Sequence, residues 1–375
     1  MRAPPLLVGS EIYRGSSYGK GHPMAVARVS VCLDLCRALG WVDPGRYLDA
    51  PMARPEEVTR FHDPAYVSAL REAERRQAVS EEAKRRFNIG VNNNPVFPEM
   101  YRRPMTSAGA VMLAARRSAE ARNTVFTPGG GTHHGRPGGA SGFCYLNDVV
   151  LGLLEWRRLG LRRLAYVDID AHHGDGVQDA FADDPDVLTI SIHEINRWPR
   201  TGAVGDRAGG AARNMPVPSG FHDGEMRLLM RDAVLPLLRR HRPEALMLQA
   251  GADSLEDDPL SHLSLSNNAY FEAAASLAAL AEEAMLPFVV TGGGGYNPFS
   301  VGRCWAGIWG VLDGHALPDL LPPGAEAVMR ALEFPHRLGR SPPERWFTTL
   351  RDPPREGPVR PEVRRLAGLV LEEAA

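Results

Sequence analysis

A chain of 375 residues exceeds the usual length of one domain, yet α/β chains with one continuous sheet often reach this size. The 43 basic and 45 acidic side chains nearly cancel, which argues against a nucleic-acid surface built on bulk positive charge. No stretch approaches the about 20 uninterrupted apolar residues of a membrane span, and the start, MRAPPLLVGSEIYRG, has no apolar run of secretory length. We therefore expect a cytoplasmic protein that binds neither nucleic acid nor membrane; its oligomeric state stays open.

Short apolar runs that end in glycine or a charged residue alternate with stretches of helical periodicity. This alternation is typical of βαβ units and predicts an α/β fold with an open, mostly parallel sheet flanked by helices. The predicted strands are Leu6–Val8, Thr124–Thr127, Leu164–Ile169, Val187–Ile192, Ala245–Gln249 and Phe288–Thr291. The predicted helices are Met24–Leu39, Glu56–Ala69, Asn147–Arg158, Glu225–Arg240 and Asn268–Glu283.

Two segments differ from this pattern. Residues 77–101 are rich in charge, asparagine and proline, which predicts a long surface loop with some helix. The tail after Pro318 is rich in proline and arginine and ends in a predicted helix, Pro361–Glu373. We expect one domain over residues 1–375, with a peripheral C-terminal segment over about 318–375.

Two residue types are scarce. The four cysteines have no C-x-x-C or zinc-finger spacing and are interpreted as buried thiols in a reducing compartment. Lys20 and Lys84 are the only lysines, and every other cationic side chain is arginine. This bias fits either a biased genome or adaptation to heat, and composition does not separate the two.

Polar and titratable residues follow five of the predicted strands. In chain order the strands run into GGGTHHG, DIDAHHGD, SIHE, QAGADS and TGGGGYN. Because ligands bind beyond the carboxyl ends of parallel strands, these sequences predict one functional site at one edge of the sheet.

Asp168, Asp170 and His172 alternate with apolar residues as a strand runs out, so a period of two aims them in the same direction. A lone Asp or His at a strand end is usually a cap or a surface group, but neighbouring buried carboxylates repel unless a cation lies between them. Asp253 leaves a second strand in the sequence GAD. We predict a metal site formed by Asp170, His172 and Asp253, with a coordination position left for water, as catalytic zinc or iron(II) requires.

The residue two positions after His172 bears on the number of metal ions that the site can hold. Binuclear ureohydrolases of the arginase type carry D-A-H-x-D, in which the second carboxylate helps to hold a second ion. Asp170, Ala171 and His172 fit this pattern, but Gly174 stands where that carboxylate would be. The sequence therefore favours one ion.

His133 and His134 are adjacent, so we expect them to point in divergent directions and not to be two ligands of one ion. General acid–base catalysis suits the two histidines better, with Asp168 and Asp175 as the carboxylates that could orient their rings. Shared duty and a division into one catalytic and one structural histidine are equally open. Glycines 292–295 let the backbone approach the site closely and present Tyr296, whose phenol can donate to a carbonyl oxygen as negative charge develops.

With these motifs the chain resembles the histone deacetylase superfamily, and within it the bacterial acetoin-utilisation deacetylases. The resemblance runs from GKGHPM at Gly19 to GGGGYN and RCW at Arg303, about four fifths of the chain, and is most specific in HHGRPGGASGFCYLND and VDIDAHHGDGVQDAF. It implies a three-layer arginase/deacetylase-like α/β fold. It also implies zinc-dependent hydrolysis of N-acetyl-lysine in a protein or peptide, or of a related acylated amine, to acetate and the free amine.

The resemblance assigns roles to individual residues. Asp170, His172 and Asp253 correspond to the zinc ligands, and Tyr296 to the tyrosine that polarises the carbonyl. The tandem catalytic histidines and their carboxylate partners correspond to His133, His134, Asp168 and Asp175. The acyl-lysine tunnel corresponds to Gly142 and Phe143, the arginine of the acetate-release channel to Arg28, and a monovalent K⁺ or Na⁺ site to Asp168, Asp170, His172, Ser191 and Ile192.

Two departures from the family pattern bear on the substrate. Where many relatives carry an aspartate that grips the substrate backbone, this chain has Asn92, Asn93 and Asn94, and Asn93 is the residue we expect at the site. Trp198 stands where the second tunnel phenylalanine usually lies, which preserves an aromatic wall but could narrow it. Three alternatives stay open: an acetylpolyamine amidohydrolase, a ureohydrolase and a non-catalytic module that binds acetylated amines.

Overall fold

The computed structural model describes residues 3–372, and the strands of this part of the chain form a single sheet. They are β1 (Leu6–Gly9), β2 (Tyr47–Asp49), β3 (Thr124–Thr127), β4 (Leu164–Asp168), β5 (Val187–Glu194), β6 (Ala212–Val217), β7 (Ala245–Gln249) and β8 (Phe288–Thr291). Their order is β2-β1-β3-β8-β7-β4-β5-β6, and every neighbouring pair is parallel. The predicted fold class is thereby confirmed.

Helices connect the strands and cover the sheet. They are α1 (Ile12–Gly15), α2 (Val29–Ala38), α3 (Pro55–Val58), α4 (Pro64–Arg76), α5 (Glu81–Phe87), α6 (Arg102–Ala121), α7 (Asp148–Arg158), α8 (Asp175–Ala180), α9 (Asp223–Leu229), α10 (Leu235–His241), α11 (Asn267–Glu283), α12 (Pro298–Leu312), α13 (Pro323–Arg330), α14 (Arg345–Thr348) and α15 (Pro361–Leu369). One π-helical turn, Met230–Val234, joins α9 to α10, and short 3₁₀ turns occupy Pro23–Ala25, Ala208–Gly210, Ala252–Ser254 and Arg337–Arg340. No helix in the described range is both long and apolar enough to cross a membrane.

Both faces of the sheet are buried, and successive residues of the central strands belong to different cores. On β4, Ala165 and Val167 join the larger apolar cluster, whereas Leu164 and Tyr166 join a cluster on the opposite face. A strand alternates its side chains between two faces, so a strand covered on both sides is apolar throughout. This is why β4, β7 and β8 were readily predicted from the sequence.

The sheet register places the polar strand ends side by side. Asp168 at the end of β4 lies level with Gln249 on β7 and with Ser191 on β5. All strands point the same way, so the loops that follow them leave the sheet at one edge. The expected convergence of the five motifs follows directly from this topology.

All six predicted strands are present with small shifts in their ends, but β2 and β6 were missed. They are the two edge strands of the sheet. β2 has three residues, and β6, with the sequence ARNMPV, contains a proline and two partly exposed positions. Edge strands are exposed on one side and therefore lack the continuous apolar run that marks central strands.

Several predicted helix bounds were wrong. The helix predicted over Glu56–Ala69 is two helices, because Pro64 starts α4 and Asp63 accepts a hydrogen bond from the amide of Ala65 there. The helix predicted from Met24 begins only at Val29. The helices α6 and α12 were not predicted, whereas the helical content expected within the loop over residues 77–101 is present as the short helix α5.

The C-terminal segment covers one side of the larger core. Met329, Trp346, Leu350 and Val363 are buried in that cluster, so the segment contributes apolar packing. The predicted last helix is present as α15, and its expected end at Glu373 lies outside the described residues. The organisation as one domain with a peripheral C-terminal segment stays a prediction.

Candidate active site

The loops after the strands surround one cavity of about 290 Å³. His133, His134, Asp170, His172 and Tyr296 line it, and they derive from three of the five motifs that follow strands. Residues from distant parts of the sequence thus face a common space at the predicted edge of the sheet.

Asp170, His172 and Asp253 form a cluster whose ligand atoms all lie within 4.8 Å of one another. All three are buried, and Nδ1 of His172 is 2.9 Å from Oδ2 of Asp253 and 3.2 Å from Oδ1 of Asp170. Burial lowers the pKa of His172, but the two carboxylates outweigh burial and raise it to about 10. The environment therefore favours positive charge at this point.

This donor set fits a divalent transition metal. Two carboxylates and an imidazole match catalytic zinc or iron(II), and three protein ligands leave a position for water. The carboxylates are held in place: Asp170 Oδ2 accepts from the amide of Gly294 at 2.7 Å and from Nε2 of Gln249 at 2.9 Å. Asp253 Oδ1 accepts from the amide of Ala171 at 2.9 Å. Such outer contacts orient ligands around a metal.

Glycines lie where side chains would collide with this cluster. A Cβ at Gly294 or at Gly251 would overlap the carboxylate of Asp253 or of Asp170. At Gly174, a Cβ would lie 2.5 Å from Oδ2 of Asp168. The position where a ureohydrolase carries its extra carboxylate therefore has no room for a side chain, which supports the expectation of one ion.

The tandem histidines do not diverge as expected. Their rings lie side by side with centroids 4.0 Å apart, and both face the cavity. His133 Nδ1 is 2.8 Å from Asp168 Oδ2, and His134 Nδ1 is 2.7 Å from Asp175 Oδ1, so both expected carboxylate partners are in place. Both imidazoles thus border the same cavity, which differs from the divergence expected for adjacent residues.

The two histidines differ in electrostatic environment. Burial lowers the pKa of His133, but Asp168 and Asp170 outweigh burial and raise it to about 9. Burial and the nearby charge of His133 lower the pKa of His134 to about 3, despite its bond to Asp175. One imidazole is thus suited to donate a proton and the other to accept one.

Tyr296 lies at the wall of the cavity. Its ring is buried, and its amide donates to Oδ2 of Asp258 at 2.6 Å. Burial raises the pKa of the phenol well above its ordinary value, so the hydroxyl stays protonated and can donate a hydrogen bond. The glycine run that precedes Tyr296 brings it to the site as expected.

Aromatic rings flank the way into the cavity. The ring of Phe143 is 5.9 Å from that of Tyr296, and the ring of Trp198 is 4.6 Å from that of His134. Trp198 is 42% exposed and covers Gly142, where a side chain would collide with the indole. An apolar stem can pass between such rings while its end reaches the metal cluster.

Comparison with known proteins agrees with this geometry. Residues 22–312 match the model of the histone deacetylase domain. The chain belongs to the histone deacetylase family. Histone deacetylase 1 of Oryza sativa subsp. japonica is 35% identical over 312 residues, and histone deacetylase HDAC1 of Drosophila melanogaster is 35% identical over 296 residues. The alignments cover 82% and 77% of this chain but only 59% and 56% of those proteins.

Solved structures of the family have the same fold over their whole length. A histone deacetylase homologue from Aquifex aeolicus superposes with a TM-score of 0.91 at 32% identity, covering 98% of this chain and 100% of that one. A homologue in complex with SAHA gives a TM-score of 0.91 at 33% identity, with the same coverage.

In this member of the family, the three asparagines occupy different environments. Asn93 is exposed and lines the mouth of the cavity, as expected for a residue near the substrate. Asn94 is buried, and its Oδ1 accepts from the amide of Phe143 at 3.1 Å, so it supports the tunnel wall. Asn92 is exposed beside the mouth.

Arg28 is buried and lines the same cavity. Its guanidinium donates to the carbonyl oxygen of Gly293, contacts Sδ of Met24 and lies 5.9 Å from the ring centroid of Tyr296. Burial lowers its pKa, but arginine stays charged in proteins. The cavity wall thus includes a cation as well as residues of the metal cluster.

The residues of the expected monovalent site lie close in the sheet. Ser191 and Ile192 are on β5, and Ser191 lies level with Asp168 on β4. The side-chain oxygen of Ser191 is 2.9 Å from Nδ1 of His193. The ion itself stays a prediction.

Four residues that support the site were not predicted. Gln249 holds Asp170, Tyr166 donates to Asp168 at 2.6 Å, and Arg136 contacts Asp175. Asp258 accepts a hydrogen bond from the backbone amide of Tyr296. Burial, and to a smaller extent the charge of Asp253, raises the pKa of Asp258 well above its ordinary value. Gln249 and Arg136 lie inside the motifs and could have been found there, whereas Tyr166 reads as an ordinary core residue.

Proposed function

We propose that this protein is a metal-dependent deacetylase that hydrolyses N-acetyl-lysine in a protein or peptide to free lysine and acetate. The observation that carries this proposal is the presence, around one cavity, of a three-ligand metal cluster, two carboxylate-paired histidines and a protonated tyrosine. Membership of the family supports it independently.

The metal is assigned to Asp170, His172 and Asp253, with zinc as the first choice and iron(II) as the alternative. Such an ion acts as a Lewis acid and makes water nucleophilic near neutral pH. A K⁺ or Na⁺ ion at Asp168, Asp170, His172, Ser191 and Ile192 belongs to the same proposal.

The residues around the cavity supply the remaining chemistry. His134, held by Asp175, accepts a proton as water adds to the amide carbonyl carbon. The phenol of Tyr296 donates to the carbonyl oxygen as it becomes negative. The C–N bond then breaks, and His133, held by Asp168, protonates the departing amine. The acetate left behind is attracted by Arg28 in the wall of the cavity.

The cavity lining favours acyl-lysine over an acylated polyamine. Among the described residues that line it, only Asp170 is acidic, and this residue is assigned to the metal. A site for a second ammonium group would need a carboxylate at the entrance. The rings of Phe143 and Trp198 instead suit the methylene stem of lysine. A ureohydrolase is disfavoured by the absence of room at Gly174.

Competing substrates test this choice. Zinc-loaded protein is assayed with an acetyl-lysine peptide and with N-acetylspermidine, and the released amine is quantified. We expect kcat/KM for the peptide to be at least about tenfold higher. A preference for the polyamine would replace the proposed substrate, and a metal-loaded protein inert toward both would support the binding-module alternative.

A further inference from the structure

A second groove opens beside the mouth of the catalytic cavity, with a volume of about 720 Å³. Tyr18, Asn93 and Phe143 line both spaces. A ligand whose acylated end enters the catalytic cavity past Phe143 therefore has the groove directly next to it. The remaining walls come from the loop over residues 19–23, from residues 78–79, from Lys84, and from residues 90–93 and 95–96.

The groove contains both lysines of the chain, Lys20 and Lys84. Lys20 is exposed and has no carboxylate partner in the part of the chain that the structure describes. Lys84 pairs with Glu81 at 2.7 Å, but 74% of the Glu81 side chain is exposed, and such surface pairs contribute little and exchange readily. Both ammonium groups are thus available to another anion.

No acidic side chain lines the groove within residues 3–372. Asn92 and Asn93 add side-chain amides, which can donate hydrogen bonds to a carboxylate. His22 also lines it, with its Nε2 3.4 Å from the carbonyl oxygen of Asn93, and burial lowers its pKa, so it adds no charge near pH 7. In a chain of net charge −2, this groove is a local positive region beside the active-site entrance.

We propose that the groove defined by Lys20 and Lys84 binds a carboxylate of the acylated substrate, so that the enzyme prefers acyl-lysine peptides with an acidic group near the acylated residue. This inference rests on the proposed function, since it names the substrate class for that site. The carboxylate can come from an aspartate or glutamate side chain or from a peptide C-terminus. Two ammonium groups and two amides recognise either source.

A set of four acetyl-lysine peptides distinguishes these sources. One carries flanking aspartates and an amidated C-terminus, one is neutral with a free C-terminal carboxylate, one is neutral and amidated, and one carries flanking arginines. We expect kcat/KM to be about three- to tenfold higher for the aspartate peptide, the free-carboxylate peptide or both than for the neutral amidated peptide, and lowest for the arginine peptide. Equal values for all four peptides would overturn the proposal.

Variants assign the preference to the groove. In the double variant Lys20→Gln/Lys84→Gln, the ratio of kcat/KM between the acidic and neutral peptides should fall to about one, and Lys20→Arg should keep it. Arg239→Gln removes one exposed positive charge on α10, outside both cavities, and should leave the ratio unchanged. A ratio that survives in the double variant would contradict the assignment.

Binding separates this inference from the proposed reaction. Fluorescence anisotropy of labelled peptides with zinc-loaded Tyr296→Phe protein reports affinity without turnover. Tighter binding of the acidic peptide, lost in the Lys20→Gln/Lys84→Gln background, supports the groove even if the wild-type protein hydrolyses no peptide and the proposed function fails. Equal affinities for acidic and neutral peptides would overturn the groove while leaving hydrolysis intact.

Discussion

At the residue scale, identical side chains acquire different properties from their neighbours. His133 and His134 are adjacent and both paired with a carboxylate, yet their pKa values are displaced in opposite directions, to about 9 and about 3. The difference arises because His133 lies near Asp168 and Asp170, whereas His134 is buried beside the positive charge of His133. Two adjacent histidines can therefore serve as a proton donor and a proton acceptor.

The first prediction concerns Tyr296. Replacement by phenylalanine removes one hydrogen-bond donor and keeps the ring that packs against Phe143. We expect kcat to fall by about 10²- to 10³-fold, as for the loss of an oxyanion donor, with zinc content unchanged. Steady-state kinetics and metal analysis measure both. Near-normal kcat would remove the tyrosine from the reaction.

The second prediction concerns Gly174. In Gly174→Ala, the added methyl group would press against Asp168 and disturb its hydrogen bond to His133, so we expect a loss of kcat of at least about tenfold. Gly205→Ala is the matched control, because no atom lies within 4 Å of a Cβ there. Equal activities of the two variants would show that the close approach has no consequence.

The site was only partly predictable at this scale, for a physical reason. The three ligands and the histidine pair lie in short motifs, so their proximity follows from strand ends in a parallel sheet. Asp258 acts through a hydrogen bond to the backbone of Tyr296, 38 residues away, and Tyr166 acts through a hydrogen bond to Asp168, two residues further along the chain. Nothing in their local sequence distinguishes them from a turn residue and a core residue.

At the element scale, one buried carboxylate forms ion pairs with arginines from several helical segments on one face of the sheet. Glu155 on α7 is fully buried and forms ion pairs with Arg60 and Arg116, each at 2.6 Å, and with Arg158 at 2.8 Å. Arg116 belongs to α6, the long helix that was not predicted. Arg60 follows α3, so a single residue links three segments of the chain.

The third prediction follows from this network. Burial raises the pKa of Glu155, but Arg158, Arg116 and Arg60 outweigh burial and lower it to about 2. A carboxyl group whose folded pKa is depressed stabilises the fold above its unfolded pKa of about 4.3, and this stabilisation is lost as pH falls toward 2. Glu155→Gln should therefore lower the free energy of unfolding at pH 7 by about 2 kcal/mol, and by about half as much near pH 3.

Chemical denaturation at pH 7 and pH 3 measures this difference. Glu283→Gln, which changes an exposed carboxylate at the end of α11, is the control and should have little effect at either pH. A destabilisation by Glu155→Gln that is the same at both pH values would show that the ion pairs do not stabilise the fold.

The strands that could be predicted accurately were those buried on both faces of the sheet. Central strands buried on both faces are apolar throughout, and β3, β7 and β8 were predicted with their observed bounds. The edge strands β2 and β6 are polar on one side and resemble loops. The helix α6 follows a loop without an N-cap hydrogen bond from a side chain, so its start carries no capping signal.

At the scale of the whole molecule, the candidate active site and the groove proposed to bind a carboxylate lie next to each other. The catalytic cavity lies beyond the strand ends, and the groove with Lys20 and Lys84 adjoins it through Phe143. The loops that build the groove are far from the metal ligands in sequence. Substrate choice can therefore vary while the site for hydrolysis is retained.

The most direct test of metal-dependent hydrolysis is a zinc titration of metal-free protein, with acetate release from an acetyl-lysine peptide as the readout. We predict that release rises with added zinc and levels off at about one ion per chain. It should stay at background in Asp253→Asn, which removes one ligand of the cluster. Release that is independent of zinc, or that requires two ions per chain, would contradict a single-ion site at Asp170, His172 and Asp253.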